Sequence, residues 1–134
     1  MDFKLTEDQQ AFQQTARDFA KSELPEAAQI CETEASPPTH ELIRKYGEMG
    51  FLGINVPEEY GGLGLGNIDA LIVLEEFAKI SSAIAFPVFE SCVGPVKAIE
   101  HFAEESLKKR VIPEVCSGDM IVAVAMSEPD AGSA

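Results

Sequence analysis

The sequence lacks most features that mark specialised classes of protein. Basic residues are scarce, since 10 Lys and Arg face 23 Asp and Glu for a formal net charge of −13. Nucleic acids and anionic membranes bind clustered basic surfaces, and the one basic cluster, residues 108–110, is typical of a solvated helix face. No continuous apolar run approaches the ~20 residues of a membrane helix. We therefore expect neither nucleic acid nor a membrane as a partner.

Cysteine and histidine are also too few and too scattered for a metal site or a disulfide framework. Cys31, Cys92 and Cys116 are odd in number and far apart, no CxxC occurs, and His40 and His101 have no ligand-like spacing around them. The N-terminus has neither a secretory apolar core nor an arginine-rich transit pattern. We expect reduced thiols, no metal and a cytoplasmic location.

What the sequence does have is helical periodicity, so we predict a mainly α fold: an N-terminal helical domain of five to six helices and one terminal β-strand. Thr6 and Gln9 form a capping box for the first helix. Pro25 is expected to end or interrupt that helix, with a weaker one over 26–34. Thr39 is a predicted cap for a helix that reaches Glu48.

The second half of the chain continues this pattern. Asn67 is predicted to cap a helix over 68–80, with Ile68, Leu71, Ile72 and Phe77 facing inward. Residues 82–102 predict a helix that is bent or broken near Pro87 or Pro95, because proline removes a helical hydrogen bond. The last predicted helix covers 104–111. A short turn over 113–117 and the helix-ending Gly118 follow.

Residues 120–126, MIVAVAM, are typical of a buried strand because they are apolar and rich in β-branched residues. A lone strand cannot pair its own backbone, and each unpaired buried amide costs about 1–3 kcal/mol. We therefore expect the chain to be the front part of something larger. The predicted division is a helical domain over 1–118 and the start of a second, β-domain over 119–134.

No motif in the chain predicts a catalytic residue. The glycine-rich loop 62–66 follows Pro57 and two glutamates rather than a strand, so it does not match a dinucleotide fingerprint. Glu75 and Glu76 are helix neighbours about 100° apart and cannot share a proton. Ser133 has no triad partners. The polar turn over 127–133 suits the edge of a planar ligand, and it is equally a plain strand-end turn.

Two blocks and their order along the chain carry a resemblance. VPEEYGGLG stands at 56–64 and MSEPDAGS at 126–133, preceded by LTEDQQ at 5–10 and RDFA at 17–20. Over essentially its whole length the chain resembles the N-terminal part of the acyl-CoA dehydrogenase family of flavoproteins. That family has an N-terminal helical domain, a middle β-domain and a C-terminal four-helix bundle.

The resemblance implies FAD as the cofactor. Carried over position by position, Val124, Met126 and Ser127 would border the isoalloxazine ring. Gly132 and Ser133 would approach the FAD phosphate or the CoA part of the substrate. Ser127 stands where Thr is commoner in the family, which keeps the hydroxyl.

The same resemblance implies that the helix over 82–102 contributes to the bottom of the acyl pocket. Phe86, Pro87, Glu90 and Gly94 are the positions expected nearest that pocket. The bulky Phe86 and the kinking Pro87 favour a short or unusual acyl group, although core packing alone also explains Phe86.

The implied reaction is α,β-dehydrogenation of an acyl thioester. In the family a glutamate of the C-terminal bundle removes the α-proton and the β-hydrogen leaves as hydride, so this chain alone is expected to be inactive. The full-length form is expected to have an electron-transfer partner and to be a homo-oligomer. Two alternatives stay open: a same-fold flavin monooxygenase or carrier-protein thioester dehydrogenase, and a non-catalytic helical interaction module.

Overall fold

The computed structural model describes residues 4–132, and their fold confirms the predicted helical domain. These residues form six α-helices and a one-turn 3-10 helix. The elements are α1 (Glu7–Glu34), α2 (His40–Glu48), the 3-10 helix (Glu58–Tyr60), α3 (Asn67–Ala78), α4 (Ser82–Cys92), α5 (Pro95–Phe102) and α6 (Glu105–Ser117).

The first helix begins where its capping box predicts but does not stop at its proline. The backbone N–H of Gln9 donates to Thr6 Oγ1 at 3.2 Å, and the Gln9 side chain accepts from the Thr6 N–H at 3.1 Å. The predicted end or interruption at Pro25 is wrong, because α1 runs on to Glu34 and includes the segment 26–34. Pro25 is exposed, so water can solvate the carbonyl that loses its partner, while buried Leu24 and Cys31 hold both sides in the core.

Two other prolines differ in their effect: one stays within a helix and one begins a helix. Pro113 lies inside α6, so the predicted turn over 113–117 is wrong and that segment is helical. The predicted break within 82–102 is confirmed, since α4 ends at Cys92 and Pro95 is the first residue of α5. Proline has no N–H to lose at the first helical position, which is why it starts a helix there.

The segment Ser82–Phe102 is 21 residues long and, by length and composition alone, apolar enough to cross a membrane. The break between α4 and α5 divides it, and Ile84, Val88 and Val96 are fully buried inside the domain. We therefore interpret its apolar character as that of two core helices.

The start of α3 differs by one residue from its prediction. Gly66, rather than Asn67, is the capping residue, and its N–H donates to Asp69 Oδ2 at 2.9 Å. Ile68 and Leu71 were expected inward but are 60% and 55% exposed. The reason is tertiary, because α3 packs against both α1 and α4 and turns a different face to them. That buried face consists of Ala70, Ile72, Val73, Glu76 and Phe77.

Two clusters of buried side chains form the core. In the first, four aromatic rings from α1, α2, α3 and the loop after α2 meet with centroids 5.0–5.8 Å apart. Such contacts add about 0.5–1.5 kcal/mol per pair beyond the burial of area. The second cluster joins α5, α6 and the 3-10 helix. The four rings belong to Phe19, Tyr46, Phe51 and Phe77.

A buried carboxylate links α1 to α3 beside the aromatic cluster. Glu76 is 3% exposed and accepts from Arg17 Nη2 at 2.9 Å and Arg17 Nε at 3.2 Å. Lys79 Nζ donates to the same carboxylate at 2.9 Å. The hydrogen bond from Arg17 holds the pKa of Glu76 below its ordinary value of 4.5, against the opposing effect of burial. The pair therefore joins the two helices electrostatically as well as by packing.

We predict that Glu76→Gln lowers the free energy of unfolding by about 2 kcal/mol at pH 7, because it leaves Arg17 without its charged acceptor. Since the folded-state pKa of Glu76 lies below the unfolded one, its contribution is complete above about pH 4.5. It is lost as the pH falls through the folded-state value, so wild type loses more stability on acidification than the variant does. Urea unfolding at pH 7 and below pH 4 measures both effects.

Glu75→Gln is the matched control, because Glu75 is 64% exposed and also contacts Lys79, at 3.2 Å. Exposed ion pairs contribute little, so this variant should stay within about 0.5 kcal/mol of wild type. Equal losses for the two variants would contradict a special role for the buried pair.

Candidate functional site

The last helix of the domain ends in a constrained turn, after which the remaining described residues, 119–132, run over the domain surface. We call these residues the C-terminal segment. Gly118 ends α6 with φ +82°, a left-handed conformation that favours glycine. The N–H groups of Asp119 and Met120 both donate to the Glu114 carbonyl, at 2.9 and 3.0 Å. Arg44 of α2 pairs with Asp119 at 3.0 Å, so α2 and α6 together set the exit direction.

Glycines allow α2 and the end of α6 to approach this closely. A Cβ on Gly47 would overlap the carbonyl oxygen of Ser117. A Cβ on Gly118 would lie 2.7 Å from the Ile43 carbonyl oxygen. Backbone therefore packs on backbone at this crossing, which leaves no room for a side chain on either helix.

The C-terminal segment leaves the crossing with alternating side chains. Met120 and Val122 pack on the second core cluster, whereas Ile121 between them is 48% exposed. The alternation over 120–122 is that of a strand with one face on the domain. It stops there, because Val124 and Met126, next in the inward register, are 54% and 83% exposed.

The strand predicted over 120–126 is nevertheless not formed within residues 4–132. No hydrogen bond joins the backbone of 121–127 to another part of the described chain. A strand exists only as part of a ladder, and the helical domain offers no edge with which this segment could pair. What is missing is a partner strand, because the apolar run that suggested the strand is present.

A tight reversal follows at the predicted polar turn. Glu128 and Ala131 exchange both backbone hydrogen bonds, at 3.1 and 3.2 Å, around Pro129 and Asp130. Nothing lies within 4 Å of a Cβ built on Gly132, so the backbone there is accessible to a ligand. Ser133, a predicted contact of both cofactor and substrate, lies outside the described residues.

Beside the C-terminal segment lies a groove between α2 and α4, which we call the α2–α4 groove. It encloses about 520 Å³ and is mostly apolar. The α4 side presents Phe86, Pro87 and Glu90, and Ile121 of the C-terminal segment also lines the groove. The α2 side includes Thr39, His40 and Ile43.

Glu90 is the carboxylate of this groove and has no ion pair or hydrogen bond to any described residue. It also lines a second, much smaller void of about 10 Å³ together with Ser91 and Val122. Burial raises the pKa of Glu90, because its half-buried carboxylate lacks both full hydration and a cation. An unpaired carboxylate at an apolar wall is typical of a ligand-binding site.

Three of the four predicted acyl-pocket residues therefore share one groove, and the fourth does not. Gly94 lies in the break between α4 and α5, where its N–H donates to the Phe89 carbonyl at 2.8 Å. Seven further residues line the groove and were not predicted, among them Ile121 and His40. Ile121 could have been found from the alternation after Met120, whereas His40 reaches the groove through tertiary packing and has no local signal.

The predicted flavin-contacting residues fit one side of a planar ring. Val124 and Met126 offer exposed apolar side chains, and Ser127 an exposed hydroxyl, along a backbone with free hydrogen-bonding groups. Such a surface suits an aromatic ring with a polar edge. The described residues supply this one wall and not a second.

The remaining polar groups do not form a competing centre in the part of the chain that the structure describes. Residues 4–132 contain no group of three His, Cys, Asp or Glu side chains able to hold a metal ion. All three cysteines are buried and free, and burial raises the pKa of Cys116 to about 11, which makes it an unreactive thiol.

The helical domain matches the model of a known protein family over most of its length. The family model described as "Acyl-CoA dehydrogenase, N-terminal domain" matches residues 6–119. The chain belongs to the acyl-CoA dehydrogenase family, of which it contains the N-terminal domain.

Similar proteins span bacteria and animals. A glutaryl-CoA dehydrogenase of Desulfococcus multivorans is 36% identical over 135 residues, which cover 99% of this chain and 35% of the relative. An acyl-CoA dehydrogenase of Bacillus subtilis is 35% identical over 129 residues, covering 96% and 34%. The chain thus spans about a third of the length of these relatives.

Solved structures give the same picture. A glutaryl-coenzyme A dehydrogenase in complex with glutaryl-CoA superposes with a TM-score of 0.90 at 36% identity, covering 99% of this chain and 34% of that one. The FAD complex of PigA superposes with a TM-score of 0.86 at 30% identity, covering 99% and 35%. A structure from work on the electron transferring flavoprotein of Acidaminococcus fermentans gives 0.88 at 32%, covering 98% and 34%.

We predict that Gly47→Ala lowers the free energy of unfolding, although alanine is the better helix former by about 1 kcal/mol. The added methyl group would overlap the Ser117 carbonyl, and such overpacking costs about 1–3 kcal/mol plus a displacement of α6. Urea denaturation gives the loss. Amide NMR shifts of residues 119–124 report the displaced exit.

Gly132→Ala is the control, because open space surrounds that position. It should leave the denaturation midpoint unchanged. A Gly47→Ala variant more stable than wild type would show that the crossing is looser than this geometry requires.

Proposed function

We propose that this chain is the first part of a flavin-dependent acyl-CoA dehydrogenase that introduces an α,β double bond into an acyl thioester. The observation that carries the proposal is the adjacency of two surfaces. The exposed edge at 124–127 follows directly from Ile121, which itself lines the α2–α4 groove. A ring on that edge and an acyl chain in that groove would be neighbours.

FAD is the proposed cofactor, and it supplies a two-electron acceptor when bound. Val124, Met126 and Ser127 would hold one side of its ring system, with the Ser127 hydroxyl donating to a polar ring atom. Gly132 and Ser133 would lie near a phosphate of the cofactor or of CoA. The open backbone at Gly132 supports this, since a phosphate needs close access to N–H groups.

The α2–α4 groove is the proposed seat of the acyl end of the substrate. Its apolar walls at Phe86 and Pro87 would orient the chain and exclude water from it. Glu90 would contact the far end of the acyl group. Gly94 would act indirectly, through the turn that ends α4.

The chain by itself is proposed to be inactive, because the three glutamates that the sequence and the groove single out are not placed to remove an α-proton. Glu76 is buried in its ion pair with Arg17 and Lys79, and Glu75 points to solvent. Glu90 lies at the groove rather than on the edge at 124–127. The base would come from a region beyond residue 134, after a β-domain that begins at residue 119.

The setting of the full-length protein follows from the same proposal. An electron-transferring protein would reoxidise the flavin, and the protein would assemble as a homo-oligomer in the cytoplasm. Exposed apolar side chains such as Ile68, Leu71 and Phe102 support further packing partners, since isolated domains rarely expose so many.

The proposal is tested by comparing this chain with the full-length protein that contains it. The full-length protein should purify with bound FAD, and an acyl-CoA should bleach the visible flavin absorbance without oxygen. The 134-residue chain should purify colourless and produce no enoyl thioester. Full-length protein that retains no flavin, or retains flavin that no acyl thioester reduces, would contradict the proposal.

We predict that Ser127→Ala in the full-length protein weakens FAD retention or slows flavin reduction by about 2- to 10-fold, the worth of one net hydrogen bond. Equilibrium dialysis measures the first effect and anaerobic stopped flow the second. Ser106→Ala, at an exposed position of α6, is the control and should change neither. Wild-type values for Ser127→Ala in both measurements would remove Ser127 from the site.

A further inference from the structure

The carboxylate of Glu90 lies in the α2–α4 groove without an ion pair or a hydrogen bond to any described residue. Phe86 and Pro87 of α4 and Ile121 of the C-terminal segment line the same groove. No described lysine or arginine lines the groove, and none forms an ion pair with Glu90. A half-buried carboxylate in such surroundings is satisfied only by water or by a donor that a ligand brings.

The polar groups on the α2 side of the groove do not supply a partner for Glu90 either. Thr39 directs its hydroxyl oxygen to the N–H of Leu42 at 3.3 Å, as the cap of α2. His40 is the other titratable side chain of the groove, and it is exposed. Neither group forms a hydrogen bond with Glu90.

We propose that the acyl group taken by this site ends in a hydrogen-bond donor, a hydroxyl or an ammonium, and that acyl groups ending in a carboxylate are rejected. This inference rests on the proposed function, because it takes the α2–α4 groove as the seat of the acyl end. The donor would bind Glu90, while the methylene groups before it would lie against Phe86, Pro87 and Ile121.

Rejection of a carboxylate follows from elementary electrostatics. Two carboxylates side by side in a partly buried groove repel each other, so binding the second one costs free energy or the uptake of a proton. A donor-ended chain has no such cost and satisfies Glu90 directly. The relative from Desulfococcus multivorans is a glutaryl-CoA dehydrogenase, and a glutaryl group ends in a carboxylate, so similarity of sequence and selectivity of the groove point to different substrates.

The experiment compares three CoA thioesters of matched length with the full-length protein loaded with FAD. The probes are pentanoyl-CoA, which ends in a methyl group, 4-hydroxybutyryl-CoA, which ends in a hydroxyl, and glutaryl-CoA, which ends in a carboxylate. We expect kcat/KM for the hydroxyl probe to exceed that for the methyl probe by about tenfold, since hydrogen bonds to charged groups are strong. We expect glutaryl-CoA to fall below the methyl probe by at least about tenfold.

Glu90→Gln should shrink both ratios by about tenfold, because the amide keeps the shape and removes the charge. Glu32→Gln, at an exposed position of α1, is the matched control and should leave both ratios unchanged. If Glu90→Gln fails to fold, the wild-type ratios alone decide.

The outcomes separate this inference from the function on which it rests. Glutaryl-CoA turned over as well as pentanoyl-CoA, or ratios that Glu90→Gln leaves unchanged, would overturn the role of Glu90 while the dehydrogenase proposal stands. Failure of every thioester to reduce the bound flavin would overturn both.

Discussion

The contact of α2 with the end of α6 is the constraint on which the candidate site depends. Because a Cβ on Gly47 would overlap the Ser117 carbonyl, the two backbones meet without an intervening side chain. The left-handed turn at Gly118 then sends the chain over the domain, so that Met120 and Val122 pack inward while Ile121 faces the groove. A backbone contact, rather than any side chain at the candidate site, thus brings the exposed edge at 124–127 and the α2–α4 groove together.

Much of the fold could be predicted because its signals are local. The capping box at Thr6, the cap at Thr39 and the left-handed Gly118 each act within one helical turn, and the structure has all three. The errors occur where distant contacts decide the outcome. Pro25 and Pro113 stay within helices because packing on both sides outweighs one lost hydrogen bond.

The common position of three candidate residues could be predicted because they lie on one helix. Phe86, Pro87 and Glu90 are spaced along α4 and line one groove, and their part in an acyl pocket stays a prediction. The partners across the groove come from α2 and from the C-terminal segment, and no periodicity relates those elements. The predicted strand failed for the same reason, since pairing is a property of two segments and residues 4–132 provide only one of them.

The buried pair of Arg17 and Glu76 and the unpaired Glu90 show how context gives one residue type two roles. Both carboxylates lie on helices of the same domain and both are drawn away from water. For Glu76 the hydrogen bond from Arg17 outweighs burial and lowers the pKa, so the charge binds two helices together. For Glu90 burial acts alone and raises the pKa, which leaves an acceptor whose partner must come from outside the described chain. Family membership accounts for the helices around such a group, whereas the proposed selectivity for the acyl end depends on the charge of Glu90 itself.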